Sequence, residues 1–86
     1  MTYRIDRFSI AQGVVLCISG RIAEEDLDVL RAALKEGSVI ALDLTEVKLI
    51  DRDAVKLLAL TEANGIELRH CPAYIREWVT RERESI

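Results

Sequence analysis

Three aspartates hold positions along the chain where a carboxylate could take part in chemistry. Asp43 stands at the end of an apolar run, and Asp51 and Asp53 stand at the start of a predicted helix. Two neighbouring carboxylates can act as general acid and general base. Carboxylates at such positions more commonly cap a helix or balance its dipole. No serine-nucleophile, zinc-peptidase or phosphate-loop motif accompanies them, so we predict no catalytic residues and a protein that is not an enzyme.

Metal or redox chemistry would need a cluster of histidines or cysteines. The chain has one histidine, His70, and two cysteines, Cys17 and Cys71, which lack the Cys-x-x-Cys spacing. One histidine and two separated thiols do not supply the ligand set of a structural metal site. We therefore expect two buried cysteines, a hydrogen-bonded surface histidine, and neither a metal nor a cofactor.

Length and charge restrict the class of protein. The 86 residues carry 12 Lys and Arg against 15 Asp and Glu, a net charge of −3, and half of them are apolar. This balance predicts one folded domain over residues 1–86. A nucleic-acid partner is not expected, because the basic residues near the carboxyl end alternate with acidic ones and form no positive stripe.

No segment has the sequence of a membrane anchor. The longest apolar run, Gly13 to Ile18, is far shorter than the roughly 20 residues that a membrane-spanning helix needs. The first residues lack the apolar centre of a signal peptide. We therefore predict a cytoplasmic protein that does not insert into a membrane. The sequence leaves its oligomeric state open.

The amino-terminal part of the chain predicts a β-hairpin. Polar and apolar residues alternate from Tyr3 to Ile10, which is typical of an edge strand. Gly13 follows in a short connection, and the apolar run from Val14 to Ser19 then predicts a central strand that Gly20 ends.

The rest of the chain alternates helices and strands. Acidic residues open a first helix that Gly37 ends, and Asp51 is placed to cap a second helix. The predicted elements are a helix after Glu24–Asp26, a strand at 39–44, a connection at 46–50, a helix at 53–63, a strand at 66–70, and a last helix with the apolar stripe Tyr74, Ile75, Trp78 and Val79.

The predicted order is therefore β-β-α-β-α-β-α. Two right-handed β-α-β crossovers place consecutive strands parallel, whereas the hairpin is antiparallel. We predict an α/β fold with a mixed sheet whose helices pack mainly on one face. The second helix is apolar nearly all round, so it is either buried on more than one side or offers an apolar face to a partner.

The segment from Val39 to Leu58 resembles the signature of the STAS domain, the family of anti-sigma-factor antagonists and sulfate-transporter tails. That signature is an apolar strand ending in Asp-Leu-Ser/Thr, a short turn, and Ile-Asp-Ser-Ser-Gly-Leu opening a helix. The chain has Asp-Leu-Thr from Asp43 and Ile-Asp-Arg-Asp-Ala from Ile50. The segments 16–22 and 65–72 extend the resemblance over almost the whole chain.

The resemblance implies a switch that this chain has altered. In bacterial antagonists of the family, a partner kinase phosphorylates the second Ser of the helix start, which releases the partner. Here Asp51 keeps the family's Asp, Arg52 stands for the first Ser, Asp53 for the phosphorylated Ser and Ala54 for the Gly. A serine kinase cannot phosphorylate Asp53, whose single negative charge is permanent. It either imitates the phosphorylated state or is simply an acid in the first helical turn.

The resemblance thus implies a non-catalytic regulatory module that binds a protein partner around the start of the second helix. The implied partner is an anti-sigma kinase or, as an alternative, the ATPase of a lipid-transport ABC system that carries small STAS subunits. A nucleotide- or anion-binding domain is a further alternative, although Asp51 and Asp53 would repel an anion. The expected contact residues are Lys48, Ile50, Asp51, Arg52, Asp53 and Lys56.

Overall fold

The computed structural model describes residues 3–35 and 37–84. Its element order is the predicted one, with a short 3₁₀ turn at Glu24–Asp26 before the first helix. The elements are β1 (Tyr3–Ile10), β2 (Gly13–Ile22), α1 (Leu27–Lys35), β3 (Val39–Ile50), α2 (Arg52–Ala63), β4 (Glu67–Arg69) and α3 (Ala73–Glu84).

One mixed sheet organises the fold. Its strands lie in the order β1-β2-β3-β4, with β1 antiparallel to β2 and the other neighbouring pairs parallel. Side chains from all three helices join the buried cluster formed by alternate residues of β2 and β3, such as Leu16 and Leu42. The helices therefore cover that face of the sheet, which confirms the predicted α/β architecture.

Gly13 fixes the end of the hairpin against the chain that leads into β3. The amide of Val14 donates to the carbonyl oxygen of Ser38 at 2.7 Å. Gly13 has a φ of 151°, and a Cβ at this position would lie 2.5 Å from the same carbonyl oxygen. A side chain would therefore force the two segments apart, so the position needs glycine for its close backbone approach as well as for its backbone angle.

The predicted strand ends were wrong in β2 and β3. We expected β2 to stop at Gly20 and residues 46–50 to form a connection, but β2 continues to Ile22 and β3 to Ile50. The two extensions pair with each other, as Ile22 opposite Ile50 shows. Each strand supplies the backbone partners that the other needs, and Val47 and Ile50 enter the core.

The apolar character of α2 mainly serves the protein's own core. Ala54, Val55, Leu58 and Ala59 are at most 1 % exposed, and α3 packs beside them through Ile75 and Val79. The two remaining leucines of the helix differ in their packing. Leu57 is half-buried and packs against the core cluster, whereas Leu60 is 51 % exposed and lies outside it. Burial on several sides therefore accounts for most, but not all, of the apolar residues of this helix.

The apolar stripe predicted on α3 is correct for two of its four members. Ile75 and Val79 are fully buried, and Trp78 packs partly against the core. Tyr74, which we expected in the core, is 50 % exposed, and its hydroxyl donates to the carbonyl oxygen of Lys48 at 2.9 Å. The phenol needs a polar partner, and the end of β3 supplies one at the surface.

None of the described helices has both the length and the apolar character to cross a membrane.

Candidate functional site

The start of α2 is fixed by Asp51, as the sequence predicts. Its carboxylate accepts a hydrogen bond from the amide of Ala54 at 3.0 Å, and its carbonyl oxygen accepts from the amide of Val55 at 3.0 Å. Its own amide donates to the carbonyl oxygen of Ile22 at 3.3 Å. Asp51 therefore connects the end of β2 to the first turn of α2, and its carboxylate satisfies an amide that the helix itself leaves free.

Asp53 and Lys56 lie one turn apart on the side of α2 that faces α1. Both are exposed, and both line a surface depression of about 500 Å³ whose opposite wall comes from the 3₁₀ turn and α1. Among the residues that the structure describes, neither side chain forms an ion pair or a side-chain hydrogen bond. Asp53 is therefore a surface charge in the first turn, because the capping role belongs to Asp51.

The side chain of Arg52 lies on the other side of this helix start, toward α3, and the backbone of Lys48 also contacts α3. The Nε atom of Arg52 lies 3.9 Å from a carboxylate oxygen of Glu82, and the backbone carbonyl of Lys48 accepts from Tyr74. The ammonium of Lys48 lies 3.7 Å from the carboxylate of Glu46. Tyr74 and Glu82 thus border the expected surface, although the sequence did not predict them there. The sequence did not indicate that Tyr74 is exposed, because its spacing on the last helix matches that of the buried apolar residues.

The expected contact residues thus do not form one patch. Ile50 is only 9 % exposed and packs in the core, which withdraws its side chain from the surface. The other five form a surface with two sides, which we call the α2 N-terminal surface: Lys48, Asp51, Arg52, Asp53 and Lys56. Asp51 lies at its centre, and Asp53 and Lys56 face α1. On the other side, the side chain of Arg52 faces α3, and the backbone of Lys48 contacts it.

Asp43 belongs to a separate region on the face of the sheet opposite the helices. Its carboxylate accepts from the amide and hydroxyl of Thr45, at 3.0 and 2.6 Å, and lies 3.1 Å from Nδ1 of His70. Partial burial acts to raise the pKa of Asp43, but the hydrogen bonds from Thr45 and His70 outweigh it and hold that pKa below its usual value. His70 is the exposed, hydrogen-bonded histidine that the sequence predicts.

The reactive side chains do not converge on one site. Asp43 lines a hollow of about 200 Å³ with Cys17 and Asp6, whereas Asp53 lines the depression between the helices. Cys17 and Cys71 are half-buried free thiols rather than fully buried ones, and burial raises the pKa of each. Within residues 3–35 and 37–84, no group of three or more His, Cys, Asp and Glu is arranged to hold a metal ion.

Comparison of the chain with models of known protein families gives no match, and comparison with curated proteins gives none either.

Proposed function

We propose that this chain is a STAS-like, non-catalytic regulatory module that binds a protein partner through the α2 N-terminal surface. The observation that carries the proposal is the state of Asp53. It is exposed in the first turn of α2, it makes no ion pair within the described part of the chain, and it stands where the resemblance places the family's phosphorylated serine. Since Asp51 caps the helix, the carboxylate of Asp53 is available to a partner.

The fold supports this proposal. The resemblance depends on an ordered set of segments, and the sheet brings those segments together at one end. The carboxyl ends of β2 and β3 pair through Ile22 and Ile50, and α2 starts directly after them. A partner that contacts the start of α2 would therefore meet an edge at which Asp51 hydrogen-bonds to the backbone of both β2 and α2.

The anion-binding alternative has weaker support. An anion at a helix N-terminus uses the free backbone amides there. In this chain the carboxylate of Asp51 already accepts from the amide of Ala54, and the exposed carboxylate of Asp53 adds a second negative charge beside it. An incoming phosphate would have to displace one carboxylate and approach the other.

The proposed partner is an anti-sigma kinase, with the ATPase of a lipid-transport ABC system as the alternative, and the proposal places the protein in the cytoplasm. The test is an affinity capture from a lysate of the cells that produce the protein, with mass spectrometry of the retained proteins. Wild type is compared with Asp53→Lys and with Glu84→Lys, which makes the same change of charge at an exposed position near the end of α3.

We expect an ATPase that wild type and Glu84→Lys retain and that Asp53→Lys loses. The purified pair should then show at least about tenfold weaker binding for Asp53→Lys, a difference of about 1.4 kcal/mol. Equal retention by all three proteins, or no specific retention by any of them, would contradict the proposal.

A second variant separates the two roles of Asp53. If the retained protein is a kinase, Asp53→Ser restores a hydroxyl at the position that the family phosphorylates. We expect the kinase to phosphorylate this variant in the presence of ATP and to leave the wild type unmodified. A variant that binds the kinase but stays unmodified would show that Asp53 acts as a first-turn acid and that the switch has not been inherited.

A further inference from the structure

A continuous groove runs between α1 and α2 on the outer side of the helical layer. The depression of about 500 Å³ that contains Asp53 is followed by another of about 300 Å³. The two share the lining residues Arg31, Leu57 and Leu60, so together they form one open groove, which we call the α1–α2 groove. Since α2 has 12 residues, the groove extends over roughly 18 Å, or about three helical turns.

Apolar side chains line the middle of the α1–α2 groove and the end away from Asp53. Leu60 lies at its centre, where both depressions meet, and is 51 % exposed. Leu34 of α1 and Ile66, just before β4, continue the apolar lining beside Leu57. An exposed apolar lining of this kind can receive the apolar face of an amphipathic helix, which presents residues at i, i+3, i+4 and i+7.

The charges at the two ends of the groove differ. Glu24 and Asp53 stand on opposite walls at one end, and neither makes an ion pair to another described residue. Nearby, Asp28 and Arg31 pair with each other at 3.4 Å, and Lys56 balances one of the two carboxylates. That end therefore keeps an excess of negative charge.

The opposite end carries Lys35 and no carboxylate among its lining residues. Because α1 and α2 both follow strands of the parallel part of the sheet, their amino ends meet at the acidic end of the groove. A third helix lying antiparallel to them would bring the negative end of its dipole to their positive ends. Basic side chains in its last turn would then reach the unpaired carboxylates.

From this geometry we propose that the α1–α2 groove receives one amphipathic helix of the protein partner, antiparallel to α1 and α2, with Leu60 against its apolar face and a Lys or Arg of its last turn between Glu24 and Asp53. This inference rests on the proposed function, because Asp53 and Lys56 belong both to the groove and to the α2 N-terminal surface. It adds the shape, polarity and direction of the part of the partner that binds.

The test uses a display library of helical peptides of about 14 residues, or four turns, selected on the wild-type protein. The matched pair of variants is Leu60→Asp in the groove and Val29→Asp on α1 outside it, because both native side chains are 51 % exposed. Fluorescence of Trp78 and circular dichroism verify that both variants are folded. Binding is measured by anisotropy of the labelled peptides.

We expect the selected peptides to carry an apolar stripe and a basic last turn. Their affinity should fall at least about tenfold for Leu60→Asp and change less than about twofold for Val29→Asp. Moving the basic residues to the first turn should weaken binding by a similar factor. A library that yields no binder, or binders that Leu60→Asp retains at full affinity, would overturn the inference.

The captured partner separates this inference from the proposed function. A partner that Asp53→Lys loses and Leu60→Asp keeps would overturn the groove but leave the α2 N-terminal surface in place. A partner that both variants keep would overturn both the groove proposal and the proposed function. Sedimentation of the protein alone tests whether a second copy of this chain occupies the groove. Self-association that disappears in Leu60→Asp would assign the groove to that second copy and overturn the proposal of a partner helix.

Discussion

Replacing Glu62 with glutamine tests how α3 is held against α2. The carboxylate of Glu62 accepts two hydrogen bonds from the guanidinium of Arg76, at 2.6 and 2.7 Å, and a third from Arg83 at 2.9 Å. Its side chain is only 18 % exposed. The arginine hydrogen bonds lower the pKa of Glu62 from 4.5 to about 2 in spite of its partial burial. The folded state therefore strongly favours the ionised form of this carboxylate.

The pKa shift gives the size of the expected effect. Each unit corresponds to about 1.4 kcal/mol, so the full shift would be about 3 kcal/mol. Arg76 and Arg83 are 38 and 45 % exposed, and solvent screening at such sites reduces the contribution to about 1–2 kcal/mol. Because the folded pKa is lowered, the contribution is complete above pH 4.5 and disappears as the pH falls toward 2.

The assay is urea unfolding monitored by the fluorescence of Trp78, at pH 7 and at several values between 4.5 and 2.5. We expect Glu62→Gln to lower the free energy of unfolding by about 1–2 kcal/mol at pH 7, and this difference from wild type to shrink as the pH falls. Glu77→Gln is the control, because Glu77 pairs with Arg81 at 2.6 Å while both side chains are nearly 70 % exposed. It should cost less than about 0.5 kcal/mol. A similar cost for the two variants at pH 7, or a Glu62→Gln difference that is independent of pH, would refute the reasoning.

Two further variants test local features of the fold. Asp51→Ala removes the acceptor for the amide of Ala54 and should lower the free energy of unfolding by about 1 kcal/mol. Asp51→Asn keeps a side-chain oxygen as acceptor and should lose much less stability. Equal losses for the two variants in urea unfolding would argue against the cap. Gly13→Ala should cost clearly more than Gly65→Ala, because a Cβ at Gly13 meets the carbonyl oxygen of Ser38 at 2.5 Å, whereas one at Gly65 meets nothing within 4 Å. Gly65 also has a positive φ, of 96°, so Gly65→Ala measures the cost of backbone strain alone, about 1–2 kcal/mol. If the midpoint of thermal unfolding falls equally for the two variants, the steric argument for Gly13 is contradicted.

The sequence was sufficient wherever a local pattern decides the structure. The acidic and apolar spacing around Asp51 specified where α2 starts, and the capping hydrogen bond to Ala54 agrees with it. The alternation from Tyr3 to Ile10 and the glycine at 13 specified the hairpin. The β-α-β connections then predicted that the later strands are parallel, as β2, β3 and β4 are. These features depend on neighbouring residues in the chain, so they are readable without knowledge of distant contacts.

The extension of β3 could not be predicted in this way. Residues 46–50 carry a mixed pattern that alone indicates a connection. They form a strand because the end of β2 lies beside them and pairs with them as far as Ile22 and Ile50. Hydrogen bonds between strands join residues that are far apart in sequence, and a single segment contains no information about whether its partner is present.

In the candidate surface, too, some features follow from the sequence and others only from the packing of the elements. The sequence by itself determined the element order, the capping role of Asp51 and the presence of an acid, Asp53, in the first turn of α2. Only the tertiary structure decided that Ile50 turns into the core, that Tyr74 reaches the surface, and that Asp53 and Arg52 face opposite sides of the helix start. The physical reason is that capping and periodicity act within one element, whereas the direction a side chain faces is set by the helices and strands that pack against it.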